Sequence, residues 1–404
     1  MNRRTFIKVA AVSFASFLTG CGVKDKKNLP VKFLRQIVTK NIAETRCIMW
    51  QVEKSLQNPA VEVKINDSVK IFPAIDSSFD DDGRKIIQYT AQIELGDEYR
   101  IVDGDAVSDW HKLKDPAEKN FKAIIFPDSQ CGKSYDTWGK VARPAFERNP
   151  DANFFVNVGD IVDNGEDNSQ WEDWLGQIEN FLPEIPFAPV MGNHETYSRE
   201  WKVRQPVAYL NYFASPDNGS KDFPRRFYSF DCGAAHFAVL DSQWEELGRK
   251  IIEAQKKWLR QDFAETDKAW KIIFIHKDVL QYRINGRPER QEGFSEIGEI
   301  FMPEFENLGA DAVFTAHLHT YRNRGRLKNF RADETGTLYI LTGLSGNVRY
   351  SGLWIDHELD KFVAPQPEID NYLTLEGDEN SLSVKCFLPN GEMIDETTLK
   401  KPNQ

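Results

Sequence analysis

The chain has 404 residues, 41% of them hydrophobic and 12% aromatic, with a formal net charge of −11. That hydrophobic share, with no repeat or low-complexity tract, excludes a disordered or fibrous chain and leaves room for two or three domains of roughly 100–200 residues. The negative charge argues against nucleic acid as a partner, because a polyanionic backbone is bound by Lys and Arg that displace its counterions; any anionic ligand would need a local cation.

At the N-terminus, Arg3-Arg4-Thr5-Phe6-Ile7-Lys8 precedes an apolar stretch from Val9 to Leu18 and then Thr19-Gly20-Cys21. This stretch is too short for a spanning helix, which needs about 20 apolar residues. The run resembles a twin-arginine export signal joined to a lipoprotein cleavage site, Leu18-Thr19-Gly20-Cys21. The resemblance implies that residues 1–20 are removed and that Cys21 becomes the lipidated first residue. The protein would then be exported and held on a bacterial membrane by the lipid alone, facing the periplasm or the cell exterior. Loss of Arg3, Arg4 and Lys8 makes the mature chain still more acidic. Residues 21–30 read as a linker. Cys47, Cys131, Cys232 and Cys386 show no metal-type spacing, and each defaults to a lone buried thiol.

Residues 31–118 carry the period of strands. Val61, Val63 and Ile65 alternate with Glu62 and Lys64, and Ile87, Tyr89, Ala91 and Ile93 alternate with Gln88, Thr90 and Gln92. Period two over short runs predicts a half-buried β-sandwich. Asp80-Asp81-Asp82-Gly83 and Asp103-Gly104-Asp105 supply turns between the runs.

Beyond Lys119 the texture changes to an α/β domain over 119–392, with a tail at 393–404. Short apolar strands are predicted at Lys122–Pro127, Phe154–Val158, Phe187–Met191, His236–Asp241, Lys271–His276, Ala312–Ala316 and Thr337–Gly343. Trp138, Val141, Ala142, Ala145 and Phe146 share one helical face, interrupted by Pro144, and Trp171, Trp174, Leu175, Ile178 and Phe181 share another. The predicted fold is a two-layered β-sheet core flanked by helices, preceded by the all-β sandwich. Tyr372–Leu375 and Leu382–Phe387 read as finishing strands.

The polar residues of interest cluster where those strands end. Asp128, Asp160, Asn193 with His194, His276, and His317 with His319 each follow a predicted strand, so an open sheet would bring them to one cleft. Carboxylates, an amide oxygen and imidazoles together suit a pair of divalent ions such as Mn, Fe, Zn or Mg, and one carboxylate can bridge both. His317 and His319 are predicted on one side of an extended segment, each reaching a different ion.

In order, Asp128-x-Gln130, Gly159-Asp160-x-x-Asp163, Gly192-Asn193-His194-Glu195, His276 and Ala316-His317-x-His319 resemble the calcineurin-like metallophosphoesterase superfamily. The likeness extends to its purple acid phosphatase-like branch, whose fibronectin type III-like N-terminal domain the predicted sandwich matches. The resemblance implies one ion on Asp128, Asp160 and His319, and another on Asp160, Asn193, His276 and His317. It implies a phosphatase that hydrolyses phosphomonoesters of small molecules by in-line attack of metal-bound hydroxide, with His194 protonating the leaving group. Glu195 would orient His194 from behind the ligands. Three positions depart from the pattern. Gln130 stands where many members have His and is expected to be a weak ligand. Asp163 stands where the coloured branch has Tyr, so no purple band is expected. Ala316 replaces a usual Gly.

His236 lies within a strand and reads as structural. Arg283, Arg287 and Arg290 are candidates for receiving phosphate, with solvated charge as the commoner reading; Tyr321 and Arg322 are candidates for the pocket wall. Lys133 and Tyr135 fall near a strand end with no assigned role. A phosphodiesterase or nucleotidase would use the same ligands, and a non-catalytic surface binding module would require that ligands be missing.

Overall fold

The computed structural model describes residues 27–114 and 118–401. The expected export signal and Cys21 lie outside the described residues. Within them, no helix is long and apolar enough to cross a membrane.

The α/β region is a β-sandwich with helices on both outer faces. In one sheet Phe121–Phe126, Phe154–Asn157 and Phe187–Pro189 run parallel. In the other, Ala235–Leu240, Trp270–Ile275, Ala312–Thr315 and Thr337–Thr342 do so. Period two explains the layering, since successive side chains point to opposite faces. Ala123 and Ile125 join Val156, Phe237, Phe274, Phe314 and Ile340 in the core between the sheets. Ile124 and Phe126 face the other way, onto Trp138, Val141 and Trp174. On the second sheet, Ile273 and Ile275 turn outward to Leu259, Phe263, Phe301 and Phe305. Each buried strand therefore reads as a continuous apolar run.

Helix Asp136–Arg148 forms with Pro144 inside it and buries the predicted face. The second helix spans Asn168–Gln177, capped by Asp167, whose side chain accepts from the Ser169 amide. It stops short of the predicted Phe181; the chain continues there as turns, with Ile178 still buried. Trp138 and Trp174 stack at 5.2 Å, which locks the two helices together.

The N-terminal region is all β, with the predicted runs observed as Pro59–Ile65 and Gln88–Glu94. Its strands Lys32–Ile37, Thr45–Gln51 and Gln88–Glu94 extend the first sheet, because Ile37 pairs in parallel with Phe187. Two expectations need correction. The linker at 21–30 contributes a strand, Lys27–Asn28, paired with Ala106–Val107. The tail at 393–404 contributes another, Met393–Lys400, paired antiparallel with Ser381–Phe387. It covers the edge that Ser381–Phe387 would otherwise expose. Cys47, Cys131, Cys232 and Cys386 are buried and free.

Candidate metal centre

The sandwich delivers the site residues from the carboxyl ends of five strands. Asp128 follows Phe121–Phe126 and is tied down by the Ser345 and Gly346 amides, which donate to its carbonyl at 2.8 and 3.0 Å. Asp160 follows Phe154–Asn157, and Asn193 follows Phe187–Pro189. His276 follows Trp270–Ile275, and His317 and His319 follow Ala312–Thr315. Ligand atoms of Asp160, His276 and His317 lie within 4.8 Å of one another, and so do those of Asp128, Asp160 and His319. The two groups share Asp160.

Backbone conformation makes this convergence feasible. Asp160, His317 and His319 all have positive φ, of 49°, 78° and 53°. Non-glycine residues there are uncommon and strained, and such strain gathers at functional sites. The prediction of an extended His317-x-His319 segment is thereby corrected: the chain turns through both residues and sends one imidazole to each group. Ala316 is not among the positive-φ residues, which accounts for a methyl being tolerated where Gly is usual. Gly192 is required for another reason, since a Cβ would sit 2.2 Å from both the Asp160 amide nitrogen and its Oδ1.

The ring nitrogens are sorted by the backbone. His276 Nδ1 donates to the Val158 carbonyl at 2.9 Å, leaving Nε2 facing Asp160 Oδ2 at 3.1 Å and Asn193 Oδ1 at 3.2 Å. His319 Nδ1 donates to the Val348 carbonyl at 2.7 Å, leaving Nε2 3.4 Å from Asp128 Oδ1. A carbonyl on one nitrogen fixes the tautomer that presents a lone pair at the other, the arrangement found behind metal-bound imidazoles. His317 Nδ1 and Gln130 Oε1 are buried without a hydrogen-bond partner, an expensive state unless something else meets them. These orphaned atoms fit a cation.

Electrostatics agree. Burial opposes ionisation of Asp160, but the charges of His276 and His194 outweigh it and hold the carboxyl well below the usual carboxylate range. Burial likewise opposes protonation of His276, yet Asp160 beside it raises the ring to about 9. Burial and the charge of His276 push His317 down to about 3. A cation entering the cluster would take the place of the extra His276 proton and meet a neutral His317.

His194 stands beside the groups. Its amide donates to Asp160 Oδ1 at 2.9 Å, and its Nδ1 lies 2.6 Å from the Asp163 carbonyl. That contact turns Nε2 toward the centre, 3.9 Å from Asp160 Oδ2. Asp163, not Glu195, therefore orients the ring. Glu195 accepts four backbone N–H bonds instead, from Asp160 and Gly192 on Oε2 at 2.9 and 2.7 Å and from Ile161 and Val162 on Oε1 at 2.9 and 3.3 Å. It stitches the Asp160 loop to the Asn193 loop. Gln130 is fully buried, its amide nitrogen 3.5 Å from His194 Nε2.

Other candidates fall elsewhere. Tyr321 donates to Asp395, and Arg322 is buried against Asp356 and Asp360, so neither forms the expected pocket wall. Arg283 pairs with Glu292 at 3.3 Å, and Arg290 Nε donates to the Tyr282 carbonyl. Tyr135 is buried and its hydroxyl accepts from the Asp163 amide at 3.1 Å, which gives it the supporting role that the sequence left open. Sequence reasoning missed an aromatic rim. Tyr197 and Trp201 pack against His194, and Tyr350 stacks on His319 with Trp354 beyond it. These four lie in irregular segments with no periodicity to mark them.

A β-sandwich whose strand ends gather two carboxylate–imidazole groups around one shared aspartate has the architecture and donor chemistry of a metallophosphoesterase. Residues 105–321, more than half the chain, match the family model for calcineurin-like phosphoesterases, and the chain belongs to that family. Purple acid phosphatase 15 of Arabidopsis thaliana is 29% identical over 203 residues, 49% of this chain and 36% of that protein. Purple acid phosphatase 23 of the same plant is 27% identical over 233 residues, 56% and 46% respectively. The chain thus spans less than half the length of these relatives. The structure of purple acid phosphatase PPD1 from yellow lupin (Lupinus luteus) superposes with a TM-score of 0.78 over 92% of this chain and 74% of that one, at 16% identity. The shared fold includes the N-terminal β region. The family implies a dinuclear metal site, and the Asp and His groups described here supply donors for one.

Proposed function

We propose that the chain is an exported, lipid-anchored phosphatase that hydrolyses small phosphomonoesters at a dinuclear metal centre. The observation that carries the reading is the sharing of Asp160 between two donor groups, one with His276 and His317 and one with Asp128 and His319. Asn193 adds an amide oxygen beside His276, and Gln130 adds a weak donor in its buried, unpartnered Oε1. Two divalent ions held by these residues would supply the nucleophile and neutralise charge on the phosphoryl oxygens.

The protein's own groups do the rest. Glu195 and the turned backbone at Asp160 fix the shared carboxylate before substrate arrives, so little reorganisation remains. His194, with Nδ1 committed to the Asp163 carbonyl, keeps Nε2 available to deliver a proton to the leaving alkoxide. With Asp163 in place of Tyr, a divalent pair without a purple band is the expected form. The N-terminal β region is read as fibronectin type III-like, and the Arg3-Arg4 and Cys21 motifs support export and lipid attachment.

Purified protein should carry close to two ions per chain by elemental analysis and show no visible absorption band. It should turn over phosphomonoesters faster than diesters. Metal-replete protein that hydrolyses diesters but no monoester would overturn the monoesterase assignment. For the anchor, Cys21→Ser should release the protein from membranes; unchanged partitioning refutes the lipoprotein reading.

A further inference from the structure

We propose that the rim of Tyr197, Trp201, Tyr350 and Trp354 is a stacking subsite that selects phosphomonoesters whose leaving group carries a planar ring, such as a nucleoside. The inference rests on the phosphomonoesterase reading and adds the substrate class.

Two aromatic pairs approach the centre through different histidines. On one side, the His194 ring meets Tyr197 at 5.2 Å and Trp201 at 6.1 Å, both edge to face, and the two aromatics lie 5.8 Å apart. On the other, Tyr350 stacks on His319 at 4.7 Å and meets Trp354 at 6.3 Å. The His194 ring, with Nε2 3.9 Å from Asp160 Oδ2, and His319, grouped with Asp160, border the same carboxylate, so the two pairs flank one centre.

Trp201 is the informative residue. It is 55% exposed and has φ of 61°, so a large apolar ring is both left in water and held on left-handed backbone. The backbone conformation is costly for a bulky side chain. The turn that imposes them is firmly built: the Ser198 amide donates to the Lys202 carbonyl, the Trp201 amide donates to the Ser198 carbonyl, and Asn164 Nδ2 donates there as well, each at 2.8 Å. A strained, exposed indole beside the candidate general acid is suited to a flat apolar partner, because every nucleobase presents a π-face.

Charge argues the same way. A leaving group bearing several phosphates would need free cations near the rim. Arg199, two residues before Trp201, is paired with Asp82; Lys277, next to His276, is paired with Glu245 at 2.9 Å; and Arg349, next to Tyr350, is paired with Asp370. Lys202, directly after Trp201, is exposed with no ion-pair partner among the described residues; one lysine is too few for several phosphates, and what these segments mainly present is ring surface.

The reaction keeps its balance. Water oxygen bonds to phosphorus, the bond from phosphorus to the ester oxygen breaks, and one proton returns to that oxygen. Adenosine 5′-monophosphate and ribose 5-phosphate both leave through a primary 5′ oxygen and differ chiefly in the base, so the ratio of their kcat/KM values reports the subsite and not the chemistry. Metal-replete protein should favour the nucleotide by about 10- to 100-fold. Trp201→Ala should bring the ratio down severalfold through KM for the nucleotide, and Trp201→Phe should restore most of it. A wild-type ratio near one, or a Trp201→Ala protein that slows both substrates equally, overturns the subsite. Hydrolysis of neither compound, nor of any other phosphomonoester, refutes the phosphatase reading beneath it.

Discussion

His236 lies on one strand and His276 just past the end of its neighbour, both buried and both beside carboxylates, yet only His276 joins the candidate metal centre. His236 lies mid-strand, and both its ring nitrogens are taken: Nδ1 meets Asp231 and Nε2 meets Asp262, each at 2.7 Å. Nothing is left to bind a ligand. His276 comes one residue after its strand ends, gives one nitrogen to the Val158 carbonyl, and turns the other toward Asp160 and the Asn193 amide oxygen. Burial opposes protonation of both rings, and neighbouring carboxylates raise both to about 9. Charge state therefore does not distinguish a structural histidine from a ligand here. What distinguishes them is whether the second nitrogen faces one carboxylate at a closed pair or several donors around a gap.

Four substitutions test that contrast, beginning with the largest effect. Asp160→Asn removes the charge shared by both donor groups, so metal content should drop at both sites and turnover by on the order of 10³-fold or more. A full metal complement in this variant would refute the bridging assignment. His194→Ala should keep both ions and lower kcat by roughly 10²–10⁴-fold, more for alkoxide than for phenolate leaving groups. Recovery on adding metal would make His194 a ligand instead.

The third substitution moves to the closed pair. His236→Gln should leave metal content and kcat near wild type while costing roughly 2–3 kcal/mol of stability, because two carboxylates lose their partner. Folding raises the His236 pKa from 6.5 to about 9, since the hydrogen bonds that its ring donates to Asp231 and Asp262 overcome the burial that opposes protonation. Its contribution is therefore complete below about pH 6.5 and fades as pH rises through about 9. Denaturant melts of wild type and variant should differ most at pH 6 and converge by pH 10. A constant difference would mean that the ring is held by packing alone. Gln130→Ala should have the smallest effect, a severalfold weaker metal affinity that excess metal corrects. If metal affinity is untouched, its buried Oε1 meets no ion.

Much of the site was legible because its signals are local. An apolar run followed by Asp, Asn or His marks a strand end, and Asp128, Asp160, Asn193, His276, His317 and His319 each carry that mark. The ordered motifs then named the family that the match over residues 105–321 shows. The layered α/β core was legible for the same reason, since period two and period 3.6 are written within a few residues.

The sequence by itself thus determined the strands, the helix faces and the residues able to gather at one edge. Only the tertiary structure decided what those residues do to one another, because the deciding contacts join distant positions. His276 takes its tautomer from Val158, and Glu195 bonds the Asp160 loop instead of orienting its neighbour His194. The tail at 393 becomes a strand because the Ser381–Phe387 edge needs a partner. The aromatic rim escaped the sequence because its rings sit in turns, where no period links them. The two pairs come to one centre only when the chain brings His194 and His319 to Asp160.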